Sequence, residues 1–245
     1  EYRGDSYHET TAFRLGFPSN ALTDISAGGT TGLTNSGIST NETLQSFFGR
    51  INYVYNEKLL FEANLREDGS SKFAPGKQWG WFPSFSGGWI LTKENFLKDV
   101  KWLDLLKIRA SWGQLGNDNI ADYQYNPLIS LGQNYGFGGS SASGAAQTVA
   151  NNPNVTWETT TEKDLGFDLR FFNSLTLTVD GYSRLTNNIL TTVPVSATFG
   201  LPPSIVNAGA MSNKGIEAEI GYSNSIGQVQ YNITANGSYN KNIVV

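Results

Sequence analysis

The residues that could do chemistry are carboxylates, one histidine and a few clustered polar groups. Glu217 and Glu219, like Glu158 and Glu162, invite a reading as acid and base. A glycoside-cleaving pair must face one bond across about 5–10 Å. These pairs instead fall at i, i+2 or i+4, which on a strand places both members on one face. A solvated polar wall explains them better than catalysis. His8 is the only histidine, and alone it completes neither a triad nor a zinc site. Asn117, Asp118, Asn119 and Asp122 supply oxygen atoms of the kind calcium takes. Their spacing departs from the EF-hand loop, and Asn and Asp serve turns equally well. No cofactor is expected, with calcium the one ion left open. The Gly/Ser/Ala stretch from Tyr135 to Gln147 lacks the Gly-Lys-Ser/Thr of a phosphate loop and reads as a mobile loop. Aromatic residues in loops, namely Tyr123, Tyr125, Tyr135, Phe137 and Phe199, could stack on sugars, pack under a partner or pack on one another.

Composition narrows the class. The chain has 245 residues, no cysteine and a formal net charge of −4. This excludes a disulfide framework and a thiolate metal site, and no nucleic-acid-binding face is expected. Charged residues make up only 16%, against a usual value of about 25%. No run of about 18 apolar residues exists, so no transmembrane helix is expected. The first residues have neither the basic nor the apolar region of a signal peptide. The chain lacks an initiating Met and ends at "NKNIVV", which suggests a piece of something longer.

The elements that must position these groups are strands. In "VQYNITANGSYN", Val229, Tyr231, Ile233, Ala235 and Tyr239 alternate with Gln230, Asn232, Thr234, Asn236 and Asn240. The same alternation predicts eight strands, near 46–55, 59–66, 80–92, 107–115, 156–171, 175–190, 214–223 and 228–240. Most reach about the 9–11 residues that a tilted strand needs to cross a bilayer, whereas soluble strands average about five or six. The joins alternate in length. "NEK", "NS" and "NSIG" are short, and "KENFLKDVKWLDLL" reads as a short helical turn; 67–79, 116–155 and 191–213 are long. In an up-and-down sheet the short joins then collect at one end and the long ones at the other, as in an outer-membrane barrel. Phe61, Leu65, Phe167, Leu169, Ile220 and Ile233 are expected to face lipid; Glu62, Arg66, Asp168, Glu219 and Asn232 are expected to face the lumen. Trp79, Trp81 and Trp89 are placed where the wall meets the membrane interface. A soluble carbohydrate-binding β-sandwich is the competing fold, since alternation also builds sandwiches.

The segments "REDGSSKF", "WGWFPSFSGGW", "KIRASWGQLGN", "NPNVTWETT", "LTLTVDGYSRLTNNIL" and "VNAGAMSNKGIEAEI" stand in order across most of 46–240. Together they resemble the SusC/RagA family of TonB-dependent outer-membrane transporters of Bacteroidetes. The resemblance implies an all-β, antiparallel transmembrane barrel of about 22 strands, plugged by an N-terminal domain. It implies a Gram-negative outer membrane and its lipid, a SusD-like surface lipoprotein as lid, energy from TonB, and a glycan or peptide cargo. Residues 1–245 are then part of the barrel, without the plug or the barrel's C-terminus, and 1–45 form an external loop region. No enzyme activity is expected. Arg66, Asp68, Asn117 and Asp118, with Tyr123, Tyr125, Tyr135 and Phe137, are the candidate cargo-binding residues at the mouth.

Overall fold

A computed structural model describes residues 1–245. The strands, in chain order, are β1 (Tyr2–Phe13), β2 (Thr34–Tyr55), β3 (Leu59–Ser70), β4 (Trp79–Ile90), β5 (Leu103–Asn117), β6 (Ile129–Leu131), β7 (Tyr135–Phe137) and β8 (Ser140–Ala142). They continue as β9 (Ala145–Gln147), β10 (Glu158–Phe171), β11 (Leu175–Asn187), β12 (Leu190–Thr192), β13 (Ile205–Asn207), β14 (Ala210–Ile226) and β15 (Val229–Val244). Nine long strands make one sheet in the order β1-β2-β3-β4-β5-β10-β11-β14-β15. Every neighbouring pair is antiparallel, so the sheet is an up-and-down meander.

The register carries the alternation across the sheet. One row runs Tyr53, Phe61, Gly87, Ala110, Leu165, Gly181, Ile216 and Tyr239. The next residue along each strand gives a row on the opposite face, which includes Asn52, Glu62, Ser86, Ser111, Asp164 and Asn240. No second sheet covers the apolar face: Phe61, Leu65, Ile220 and Ile233 are all about half exposed or more. Only 14 of 245 residues are buried, far too few for a sandwich, whose two inner faces interdigitate into a core. That competing fold is therefore set aside.

Four joins lie at one end: 56–58, 91–102, 172–174 and 227–228. Four intervals lie at the other: 14–33, 71–78, 118–157 and 188–209, three of them longer than any join at the first end. Three of the short joins are tight hairpins. Asn56 and Glu57 both have positive φ, as do Phe172 and Asn173; Lys58 N–H donates to Tyr55 at 3.0 Å and Ser174 N–H to Phe171 at 3.0 Å. Two left-handed central residues match the right-handed twist of the flanking strands. Gly227 supplies the positive φ of the last hairpin. The expected helical turn is a single 3₁₀ turn at Leu91–Lys93 followed by irregular chain.

Two expectations need correction. Residues 1–45, expected as an external loop region with no structure assigned, contain strand: β1 pairs residue by residue with Thr34–Gln45 of β2. This ladder extends the sheet beyond the long-loop end of β3, because Leu44 already pairs with Ser70, the last residue of that strand. The long sheet thus has nine strands where the alternation predicts eight. The interval 116–155 is also partly regular: β6 pairs with β9, and β7 with β8 nested beyond them, forming a hairpin arm.

Candidate functional site

The polar face of the sheet is a wall lined by connected charges. Arg50 Nε donates to Asn64 Oδ1 at 2.7 Å, and Asn64 Nδ2 donates to Glu62 Oε1 at 2.8 Å. These residues, with Arg66, Ser84 and Glu162, line an open groove of about 830 Å³. Farther along, Arg109 forks onto Asp168 at 2.9 and 3.0 Å and reaches Asp180 at 2.9 Å, while Lys107 lies 3.6 Å from Asp168. Arg109, Gly166 and Asp180 share one row. A Cβ at Gly166 would fall 2.2 Å from Asp180 Oδ1 and 2.8 Å from Arg109 Cζ. Glycine there leaves the gap through which the guanidinium crosses a strand to its second carboxylate. Glu162 and Arg184 add a further cross-strand pair at 2.9 Å.

The long-loop end is held by the chain's one apolar cluster. Phe73, Phe82, Ile120, Val155 and Trp157 are buried together. Trp157 meets Phe73 at 5.2 Å and Phe82 edge-on at 5.4 Å between ring centres, a favourable aromatic arrangement. Its indole N–H donates to the Gln78 carbonyl at 2.9 Å. Polar bonds extend the fastening. Asn207 accepts from Thr156 N–H at 2.9 Å and donates to the Thr156 carbonyl at 2.8 Å, tying 188–209 to 118–157. Lys72 pairs with Glu42 of β2 at 2.9 Å. Burial alone would lower the Lys72 ammonium; Glu42 and the nearby Asp118 outweigh it and hold the pKa above its usual value.

The residues predicted to form the site fall into separate groups. Arg66 Nε binds both oxygens of Asp68 at 2.7 Å and its Nη2 donates to Ser46 Oγ at 3.1 Å, so their charges are already matched within the wall. Asp68 is buried. Asp118 accepts from Ser70 Oγ at 2.7 Å and lines a polar cleft of about 180 Å³ with Arg3, Glu42 and Lys72. Asn117 donates to Glu158 at 3.2 Å. Tyr123 joins β2: its hydroxyl accepts from Asn41 N–H at 3.1 Å and donates to the Asn41 carbonyl at 3.3 Å. Tyr125 is half-buried, and its carbonyl receives Asn151 Nδ2 at 3.1 Å. Tyr135 and Phe137 stand 71% and 75% exposed at the tip of the hairpin arm. Sequence reasoning missed Phe73, Trp157 and Asn207, which fix the rim. Their one signal is an isolated apolar or amide residue within polar loops.

The aromatics of the apolar face sit near both strand ends. Phe47 stacks on Trp79 toward the long loops, and Trp102 stacks on Phe171 beside the short turns. Paired aromatic girdles of this kind flank the apolar band of membrane barrels.

Comparison with known proteins follows the same lines. The family profile described as "TonB dependent receptor-like, beta-barrel" matches residues 2–243. The TonB-dependent receptor P39 of Formosa agariphila is 35% identical over 213 residues, covering 84% of this chain and 20% of that protein. The TonB-dependent receptor SusC of Bacteroides thetaiotaomicron is 40% identical over 188 residues, covering 74% of this chain and 18% of SusC. The chain therefore spans about a fifth of the length of the curated relatives it matches. Among solved structures, the RagAB peptide importer in its closed-closed state superposes with a TM-score of 0.86 at 26% identity, over 99% of this chain and 27% of that one.

Proposed function

Because the chain belongs to the TonB-dependent receptor-like β-barrel family, we propose that it is a wall segment of an outer-membrane importer of large nutrients. In this reading the short turns face the periplasm and the long loops the exterior. The observation that carries it is the two-faced sheet, with apolar side chains uncovered on one side and an ion-paired wall on the other. An uncovered apolar face of that size needs lipid, and a polar, ion-paired face suits the lumen through which cargo passes.

The cargo favoured is an oligosaccharide, on the likeness to SusC. A peptide is the alternative, on the likeness to the RagAB peptide importer. A SusD-like surface lipoprotein would close the external end, and TonB would act through the plug domain. Tyr135 and Phe137 are the residues proposed to meet cargo or lid: they are exposed, and rings offer broad faces with few rotatable bonds to freeze. The fastened residues Arg66, Asp68 and Tyr123 instead shape the rim.

Uptake by cells carrying the full-length receptor tests the reading. Labelled oligosaccharide or peptide should enter wild-type cells and not cells lacking TonB. Deleting 133–146, the arm's outer part, should leave membrane insertion normal and reduce uptake or co-purification of the lipoprotein. TonB-independent uptake would contradict energised import. An arm deletion that changes neither readout would remove the arm from function.

A further inference from the structure

We infer that the lipid-facing side of β10, β14 and β15 binds the phosphate groups of an outer-leaflet lipid headgroup through Lys163, Lys214 and Lys241. The three lysines occupy one register row: Lys163 pairs with Ser183, Ser183 with Lys214, and Lys214 with Lys241. Strands lie about 4.8 Å apart, so the ammonium groups are rooted within about 15 Å of one another. The parity of each strand puts them on the apolar face, in phase with Leu165, Ile216 and Tyr239. All three are exposed, and none pairs with a carboxylate. The rows directly above and below on this face contain no carboxylate either.

Their depth points to the ligand. On β14 and β15 the alternating, mainly apolar face runs Ile216–Ile226 and Val229–Tyr239, and the lysines stand just past its long-loop ends. Each stretch matches the roughly 9–11 residues with which a tilted strand crosses a bilayer. The lysines therefore stand at the headgroup level of the leaflet beside the long loops, where their stems can lie along apolar surface. Lys214 and Lys241 sit directly opposite each other, a like-charge pair that destabilises a sheet. An anion between them removes that repulsion. Trp112, paired with Lys163, adds an interfacial ring beside the same row.

This rests on the sheet's being an outer-membrane span. Full-length receptor would be reconstituted in phosphatidylcholine nanodiscs and its thermal unfolding followed as lipid is added. The added probes are a diphosphorylated glycolipid of the lipid A type, its dephosphorylated form, and inorganic phosphate. The phosphorylated glycolipid should raise the unfolding temperature, and the other two should not. Changing Lys163, Lys214 and Lys241 together to Ala should raise its half-maximal concentration on the order of 10–100-fold, since each basic residue near an anionic surface contributes measurably. The Lys→Arg triple variant should keep the response, as should Lys98→Ala in a short-turn join. Equal responses of wild type and the Ala variant would overturn the proposal. So would stabilisation by inorganic phosphate alone, which would mean a soluble anion. Failure of the wild-type receptor to enter nanodiscs at all would instead overturn the membrane reading.

Discussion

Trp157 is the residue on which the outer rim most depends. Its ring is buried between Phe73 and Phe82, and its N–H satisfies the Gln78 carbonyl. Trp157→Ala leaves a cavity and an unpaired carbonyl; buried Trp or Phe to Ala substitutions cost about 3–5 kcal/mol. The expected outcome is a barrel that still inserts but whose loops 71–78 and 118–157 are cut by external protease much faster than in wild type. At the opposite end, Glu94 accepts from Lys58 at 2.9 Å and from the Trp89 indole at 3.2 Å. These bonds, that of Lys58 first, hold its carboxyl below the usual value. A lowered carboxyl pKa contributes stability that is present above the unfolded value, about 4.3, and disappears as pH falls through the folded value. The melting difference between wild type and Glu94→Gln should thus be small and positive at pH 7 and shrink toward zero as pH falls through the lowered carboxyl value. A difference that grew on acidification would contradict the pairing. Neither residue's role was legible in the sequence. Trp157 is a single apolar residue after the polar run "NPNVT", and its partners Phe73 and Ile120 come from two other loops.

At the scale of the strand, alternation sets which face meets what. Ile220 and Glu219 are neighbours on β14 facing opposite ways, Ile220 in register with Leu177 and Glu219 with Thr178. Ile220→Arg near the middle of the span should cost about 2–4 kcal/mol in reversible unfolding from bilayers, and Glu219→Arg much less. Equal costs would mean that the faces are misassigned. The pattern was legible wherever apolar residues recur every second position, which covers β3, β10, β11, β14 and β15. It failed on β1 and the outer half of β2, where "YRGDSYHETTAF" and "TNSGISTNETLQ" offer few apolar residues to alternate. Those strands are wet on both faces, almost wholly exposed, so hydrogen bonding to each other shapes them and burial leaves no period. The hairpin at Phe172–Asn173 was likewise shifted by a residue, because a bulky side chain at positive φ is rare and gives no turn signal.

Taken whole, the molecule is an open sheet with two kinds of face and two kinds of end. Its architecture was readable because join length and strand phase agree. Its candidate site was not, because most of the residues chosen as cargo binders spend polar groups on partners within the protein: Arg66 on Asp68, Asp118 on Ser70, Tyr123 on Asn41. Charge and aromaticity in a loop mark where a chain is polar or anchored, and only placement tells which side chains are free. Sidedness is the property from which wall, rim and lipid site all follow. It is tested most directly by single cysteines at Ser141, on the hairpin arm, and at Ser225, beside the last tight turn, in a chain that has no cysteine of its own. Intact cells expressing the full-length receptor would be treated with an impermeant thiol reagent. Ser141→Cys should label and Ser225→Cys should label only after the outer membrane is opened; labelling of Ser225→Cys in intact cells with Ser141→Cys spared would invert the molecule and contradict the whole assignment.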